Sequence, residues 1–225
     1  MTSPWHPRAE SLPAEFAVFP LPGALLLPHG KLPLNIFEPR YLAMVEDSLA
    51  AGRMFAMIQP DATQPPGPNG PALYRVGCLG RLVSFSETDD GRFLIQLTGL
   101  ARFRVVKELE PRRGYRRVRA DFFAAQADLA PPTPPPADQR NALLAALKDY
   151  FARANIDANW ETVRRIPEAE LVNTLSMVCP LDPVEKQALL ETVTDADRAA
   201  TLLALMQMGA AAGPAAPQPS GQKPS

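Results

Sequence analysis

Cysteine is nearly absent from this chain. Cys78 and Cys179 lie far apart, and neither belongs to a Cys-x-x-Cys pair. A disulfide framework and a thiolate metal cluster are therefore not expected, and the two thiols read as core residues. Histidine is as scarce. His6 sits in a proline-flanked N-terminal stretch, and His29 follows Pro28 in an expected turn. Ligands for a metal are nowhere clustered, so no metal and no cofactor is expected. Long apolar runs are missing too. Ala24-Leu25-Leu26-Leu27 is among the longest, far short of the ~20 residues that span a bilayer. The opening Met1-Thr2-Ser3-Pro4-Trp5-His6 lacks a charged-then-apolar leader pattern, so a cytoplasmic setting is the expectation. Net charge is −1, which leaves no global field to recruit nucleic acid or an anionic membrane.

The usual catalytic signatures are also missing. His29-Gly30-Lys31 is the nearest approach to a phosphate loop, but Leu25 stands where the first glycine belongs. Leu32 replaces the magnesium-binding hydroxyl, and Pro33 bars the helix that should follow. A Ser-Lys centre needs a positioned serine beside a buried lysine. None of Lys31, Lys107, Lys148, Lys186 and Lys223 stands in such a sequence, and no Gly-x-Ser-x-Gly elbow occurs. The Asp89-Asp90 pair precedes Gly91 and reads as a solvated hairpin tip. The chain is expected not to be an enzyme; a hydrolase with an unrecognised site is the residual alternative.

Proline, by contrast, is abundant, with 26 residues. It marks an exposed loop at 60–71, a semi-rigid linker at 129–137 and a C-terminal stretch at 210–225. That last stretch has too little apolar bulk to offset its ordering entropy and is expected to be disordered. Residues 1–11 read as a flexible tail. Between tail and linker, residues 12–128 read as strands with one inserted helix near 39–51. Phe16-Ala17-Val18-Phe19, Cys78 to Phe85, Phe93 to Leu97, Ala101 to Val106 and Tyr115 to Phe123 are the strand candidates. Asp89-Asp90-Gly91 supplies a hairpin turn, and Gly99 is expected to break the strand pattern. Short strands separated by turns predict a small barrel. Pro39 suits the first helical position, with Tyr41, Met44, Val45, Ser48 and Leu49 on one face and Gly52 at the end. Residues 138–209 predict a bundle of about four short helices. They begin at Asp138, at Pro167, at the Asp182-Pro183-Val184-Glu185 capping box and at Thr194 or Asp195.

Two stretches are candidates for binding. Arg112, Arg113, Tyr115, Arg116, Arg117 and Arg119 combine cations with an aromatic ring, as nucleic-acid surfaces do. The same run also fits a charged edge strand that resists sheet-to-sheet association. The second stretch is Phe37-Glu38-Pro39-Arg40-Tyr41. Glu38 gains from the helix dipole there, and Tyr41 can pack its ring while its hydroxyl reaches water.

Several ordered blocks carry a family resemblance. They are Phe19-Pro20-Leu21, Leu34-Asn35-Ile36-Phe37-Glu38-Pro39-Arg40-Tyr41, Val76-Gly77-Cys78-Leu79-Gly80-Arg81-Leu82 and Asp90 to Ile95 with Gly99 to Arg104. The late Glu185-Lys186-Gln187-Ala188-Leu189-Leu190-Glu191 helix leading to Asp197-Arg198 completes them. Over about residues 15–207 the chain resembles the N-terminal, substrate-binding domain of Lon proteases, in a form without their ATPase and proteolytic modules. The resemblance implies an α+β fold, a PUA-like β-barrel followed by the helical bundle. It also implies a non-catalytic module that recognises unfolded or extended polypeptide, or a protein partner, as an adaptor in protein quality control. Phe37, Glu38, Arg40, Tyr41, Arg102 and Phe103 are the candidate partner-binding residues. The arginine stretch supports the alternative of a PUA-like RNA-binding protein.

Overall fold

The computed structural model describes residues 7–211. Six strands are present: β1 (Glu15–Pro20), β2 (Lys31–Ile36), β3 (Met54–Ile58), β4 (Val76–Glu87), β5 (Phe93–Arg112) and β6 (Tyr115–Asp121). Helix α1 (Pro39–Ala50) lies between β2 and β3. After β6 come α2 (Ala125–Leu129), α3 (Ala137–Arg153), α4 (Trp160–Arg165), α5 (Glu168–Val178), α6 (Pro183–Glu191) and α7 (Asp195–Ala211). The expectations for residues 1–6 and 212–225 concern segments outside the described residues.

The sheet runs β2-β5-β4-β3-β1-β6, and β5 also pairs with β6. Strands β5, β4, β3, β1 and β6 thus return on themselves in a ring, and β2 is added outside it. Only β1 and β3 run parallel among these pairs. The ring can close because β5 is 20 residues long. Its first half lies between β2 and the far half of β4, and its second half joins β6. Gly99 does not break the strand, as its sequence position suggested. It sits opposite Gly80 at a register shift, and β5 runs straight through it. A glycine inside a strand marks a bulge or a close backbone approach, and here it is both.

Alternation sorts the side chains into two cores. Phe16, Val18, Ala56, Ile58, Leu79, Leu100, Phe103, Val118 and Ala120 form the inner cluster. Phe16 and Phe103 meet edge to face at 4.9 Å. The opposite-facing Phe19, Phe55, Met57 and Cys78 join Tyr41, Met44 and Val45 of α1. The same cluster continues without a gap into Leu143, Leu147, Leu175, Leu189, Leu202 and Met206 of the helices. Both cysteines are free and buried; burial pushes the Cys179 thiol up to about 12.

Local signals placed the helices. Pro39 occupies the first turn of α1, and Tyr41, Met44, Val45 and Ser48 are buried. Gly52 takes φ +85° just beyond it, a conformation natural to glycine. The Asp182–Glu185 capping box starts α6, and Thr194 caps α7 by accepting from the Asp197 amide at 3.1 Å. Among the described residues the C-terminal part holds five helices, against the expected bundle of about four. The extra one, α4, is a short segment capped by Asn159, whose side chain accepts from the Thr162 amide.

Polar side chains stitch the sheet to the helices. Gln59 Nε2 donates to the Pro183 carbonyl at 2.9 Å, Gln187 Nε2 to the Val76 carbonyl at 3.1 Å, and Asn173 Nδ2 to the Pro28 carbonyl at 2.8 Å.

Candidate functional site

Beyond the ring, β2, the first half of β5 and the second half of β4 form a three-stranded extension. The β3 ladder ends at Arg81 and the Leu82 amide still donates to the Arg53 carbonyl at 2.8 Å, so among the described residues β4 from 83 to 87 is laddered to β5 alone. Val83, Ser84, Phe85, Ser86 and Glu87 are all exposed. An open strand edge is a template for another strand. The opposite edge, β2, carries Lys31 and Pro33, a charge and a residue without an N–H, both of which blunt it. The β4 edge has no proline and no lysine along this stretch.

Exposed apolar residues gather around that edge. Val83 is 48% exposed, Leu94 46% and Phe85 40%, while Phe37, 62% exposed, follows β2 on the opposite side of β5. Register puts Leu94 opposite Ser86 and Asn35, so Leu94, Ser84, Ser86 and Asn35 share one face. Phe85 lies opposite Ile95 on the other face and rests against Phe93 with ring centres 4.9 Å apart. A shallow depression of about 490 Å³ on the first face is lined by Leu34, Asn35, Ser84, Ser86, Leu94 and Gln96, among others.

The residues singled out from the sequence divide sharply. Phe37 is open to solvent just past the end of β2, at the outer end of the extension. Glu38 and Arg40 pair with each other at 2.8 Å on the surface, and the Arg40 guanidinium lies 4.6 Å over the Tyr41 ring. Tyr41 itself is buried, its ring centre 4.2 Å from that of Phe19. Arg102 and Phe103 are buried as well. They point to opposite faces of β5, Phe103 into the barrel and Arg102 into the seam with the helices. Tyr41 and Phe103 are thus packed inside the fold, away from any open partner surface, while Arg102 faces the seam with the helices.

The arginine stretch is neutralised where it stands. Arg116 grips Glu108 through Nε at 2.7 Å and Nη2 at 2.8 Å. Arg113 pairs with Glu46 at 2.7 Å and Asp47 at 2.9 Å, and Arg112 approaches Asp47 at 3.3 Å. Arg117 and Arg119 share Glu15 at 3.6 and 2.6 Å. Nor is β6 an edge, since β1 and β5 flank it. The cations dock α1 and the neighbouring strands, and little charge remains to displace counterions from a phosphate chain.

Tyr115 anchors this network by donating to Asp47 Oδ2 at 2.7 Å. That bond holds the Asp47 carboxyl below the usual range. Burial, then the same bond, pushes the Tyr115 hydroxyl up from an ordinary 10.0 to about 12. Folded and unfolded chains both keep the phenol proton below pH 10, so its contribution is complete there. Between pH 10 and about 12 the unfolded chain ionises first, and stability falls as pH rises. Tyr115→Phe should remove this part of the alkaline loss, seen as a flatter decline of the urea midpoint than in the parent protein. On the acid side, the Asp47 contribution is present above its unfolded pKa and is lost as pH falls through the lowered folded value.

The sequence singled out neither Val83, Phe85 nor Leu94. They belong to recognised strands, but only the end of β3 pairing shows that this part of β4 is bare. Period-two spacing of Val83 and Phe85 between polar residues was the available signal.

Comparison with known proteins agrees with this architecture. The family model described as the ATP-dependent protease La (LON) substrate-binding domain matches residues 15–208. The chain belongs to the Lon substrate-binding domain family. A Lon protease from Azorhizobium caulinodans is 26% identical over 92% of this chain and 24% of its own length. Lon protease 2 of Sorangium cellulosum is 33% identical over 53% of this chain and 14% of its own. This chain thus spans about a quarter or less of those relatives. A Lon N-terminal domain protein from Xanthomonas campestris superposes with a TM-score of 0.58 at 21% identity, covering 84% of this chain and 97% of that one. The N-terminal domain of a Mycobacterium avium complex Lon protease gives 0.57 at 15% identity, covering 86% and 98%. These likenesses establish the α+β Lon N-terminal fold. No helix among the described residues is long and apolar enough to cross a membrane.

Proposed function

We propose that this chain is a non-catalytic binding module of cytoplasmic protein quality control, which takes extended polypeptide onto the open edge of β4. The observation that carries this reading is the bare edge of residues 83–87, with Val83 and Phe85 on it and Leu94 beside it on β5. Main-chain pairing along the edge supplies sequence-tolerant affinity, and alternate side chains of the guest meet the two faces. One face offers Leu94 and the serines, the other Phe85. A guest with apolar residues at alternate positions lays them all on one face, and its register decides whether Leu94 or Phe85 receives them. Family membership supports the same reading, since the matched model is a substrate-binding domain.

An array of extended peptides probed with the purified protein tests it. Peptides with alternating apolar residues should bind in the micromolar range. Val83→Lys, which puts a charge beside the edge, should weaken that binding about tenfold, as should Phe85→Ser combined with Leu94→Ser. All three sites are exposed, so stability should stay within about 0.5 kcal/mol. Unchanged affinity in both variants would remove the β4 edge as the site.

The RNA-binding alternative draws no support from geometry, because every arginine of the 112–119 stretch is already ion-paired.

A further inference from the structure

Away from the β4 edge, a cavity of about 390 Å³ opens where sheet, linker and α7 meet. His29, Arg102, Asp128, Asn173, Asp195 and Arg198 are among its polar lining. Its charges do not balance at depth. Arg102 and Asp128 are both buried and close on each other at 2.7 Å. Arg198 is 2% exposed. It donates through Nε to the Leu189 carbonyl at 3.2 Å, and through Nη1 to Asn173 Oδ1 at 3.2 Å and Asp195 Oδ1 at 2.8 Å. Asp195 is a partner at the rim, with its side chain 41% exposed. Its second oxygen accepts from the Thr133 amide at 3.2 Å. The cavity wall therefore holds two buried guanidiniums against one buried carboxylate. A buried cation needs a close counter-charge; that of Arg198 stands at the rim, while desolvation and the neighbouring Arg102 shift its pKa down from the ordinary value.

His29 adds a second, independent sign. Its backbone is held at φ +63°, a region that few non-glycine residues adopt. Its Nε2 is buried and has no hydrogen-bond partner, an uncommon and costly state for a polar atom. The residue stands between this cavity and a neighbouring one of about 230 Å³, and it lines both. Lys31 and Glu170, of opposite sign, line that neighbour.

The geometry points to this seam cavity as a carboxylate-binding site, with Arg198 and His29 Nε2–H as its donors. A carboxylate would give the orphaned nitrogen an acceptor and provide the buried guanidinium with a counter-charge inside the cavity. Planar guanidinium and carboxylate groups match each other's geometry, and Asp195 shows the pairing from the rim. A small free acid and the C-terminus of a polypeptide carry the same group. The site shares no residue with the β4 edge, so either can fail without the other.

Calorimetry and the His29 ring resonances in NMR test the inference with three probes. These are sodium acetate, an acetylated Gly-Ser-Gly-Ala-Ala peptide with a free C-terminus, and its amidated twin. Both acids should bind saturably and shift the His29 signals, while the amide should not. Tighter binding of the peptide acid assigns the cavity to chain termini; equal affinity assigns it to small carboxylates. His29→Gly keeps the backbone, since glycine accepts positive φ freely. It should weaken acid binding about tenfold, the worth of one hydrogen bond to a charged group. His29→Asn, also tolerant of this conformation, serves as a second folded variant. The inference is overturned if neither acid moves the His29 resonances, if the amide binds as well as the acid, or if both His29 variants bind acid like the parent.

Discussion

Arg102→Ala should destabilise the fold by about 3–5 kcal/mol, the usual cost of stranding one partner of a buried ion pair. Urea denaturation followed by circular dichroism measures it. The expectation rests on how many groups depend on this one side chain. Nε and Nη2 reach Asp128 at 2.7–3.1 Å. Nη1 donates to the Leu190 carbonyl at 3.3 Å and to that of Thr192, and Nη2 to the Val193 carbonyl at 3.3 Å. One guanidinium thus ties β5 to α2 and to the last carbonyls of α6, which the helix itself cannot satisfy. Truncation leaves the Asp128 carboxylate and these carbonyls buried together, acceptors without a side-chain donor. The double variant Arg102→Met with Asp128→Leu removes both charges and should recover part of the loss. Recovery should be incomplete, because the Arg102 amide also donates to Asp128 at 2.7 Å. An orphaned buried N–H costs about 1–3 kcal/mol. A single-variant cost below about 1 kcal/mol would show that the pair does not hold sheet and helices together.

The same residue shows where sequence reading reaches and where it stops. Alternation along Ala101 to Val106 is visible in the letters, and it sends Arg102 and Phe103 to opposite faces. In a sheet covered on one side, one of them would meet solvent. This sheet closes on itself within and carries helices without, so both faces are dry. The partner that makes a buried arginine tolerable, Asp128, lies 26 positions away at the threshold of a proline-rich linker, and no local pattern joins the two. Contacts set by neighbours in sequence were legible. The Asp89-Asp90-Gly91 turn, the Pro39 start of α1 and the Asp182–Glu185 capping box are all fixed within four residues. Contacts set by topology were not. Tyr41 looked amphipathic but packs on Phe19, and the arginines of β6 looked free until α1 and β1 brought Glu46, Asp47 and Glu15 to them. The binding surface was hidden for the same reason. Val83, Phe85 and Leu94 flank an open edge only because β3 begins at Met54, opposite Arg81, and leaves β4 beyond Leu82 uncovered.

Gly99→Ala should be the most damaging glycine substitution in the barrel. A Cβ at position 99 would lie 2.0 Å from the Leu27 carbonyl oxygen and 2.7 Å from its carbon, closer than any real contact. The obstacle is backbone, and it cannot retreat. Leu25, Leu26 and Leu27 are buried on the sheet. The His29 amide donates to the Gly99 carbonyl, the Gly99 amide to the Gly30 carbonyl and the Gly30 amide to the Leu27 carbonyl, each at 2.9 Å. Overpacking a core costs about 1–3 kcal/mol where side chains can shift. Here the segment must lift, breaking these bonds, so a loss of about 3 kcal/mol or more is expected in urea melts. Gly91→Asn is the contrast. Gly91 has φ +75° and open space around its Cβ position, and asparagine tolerates that conformation, so little should change. A small effect at Gly99 would mean the 25–30 segment yields without cost. A large effect would identify it as the fixed rail that carries β5 across the ring and holds His29 at its strained φ beside the seam cavity.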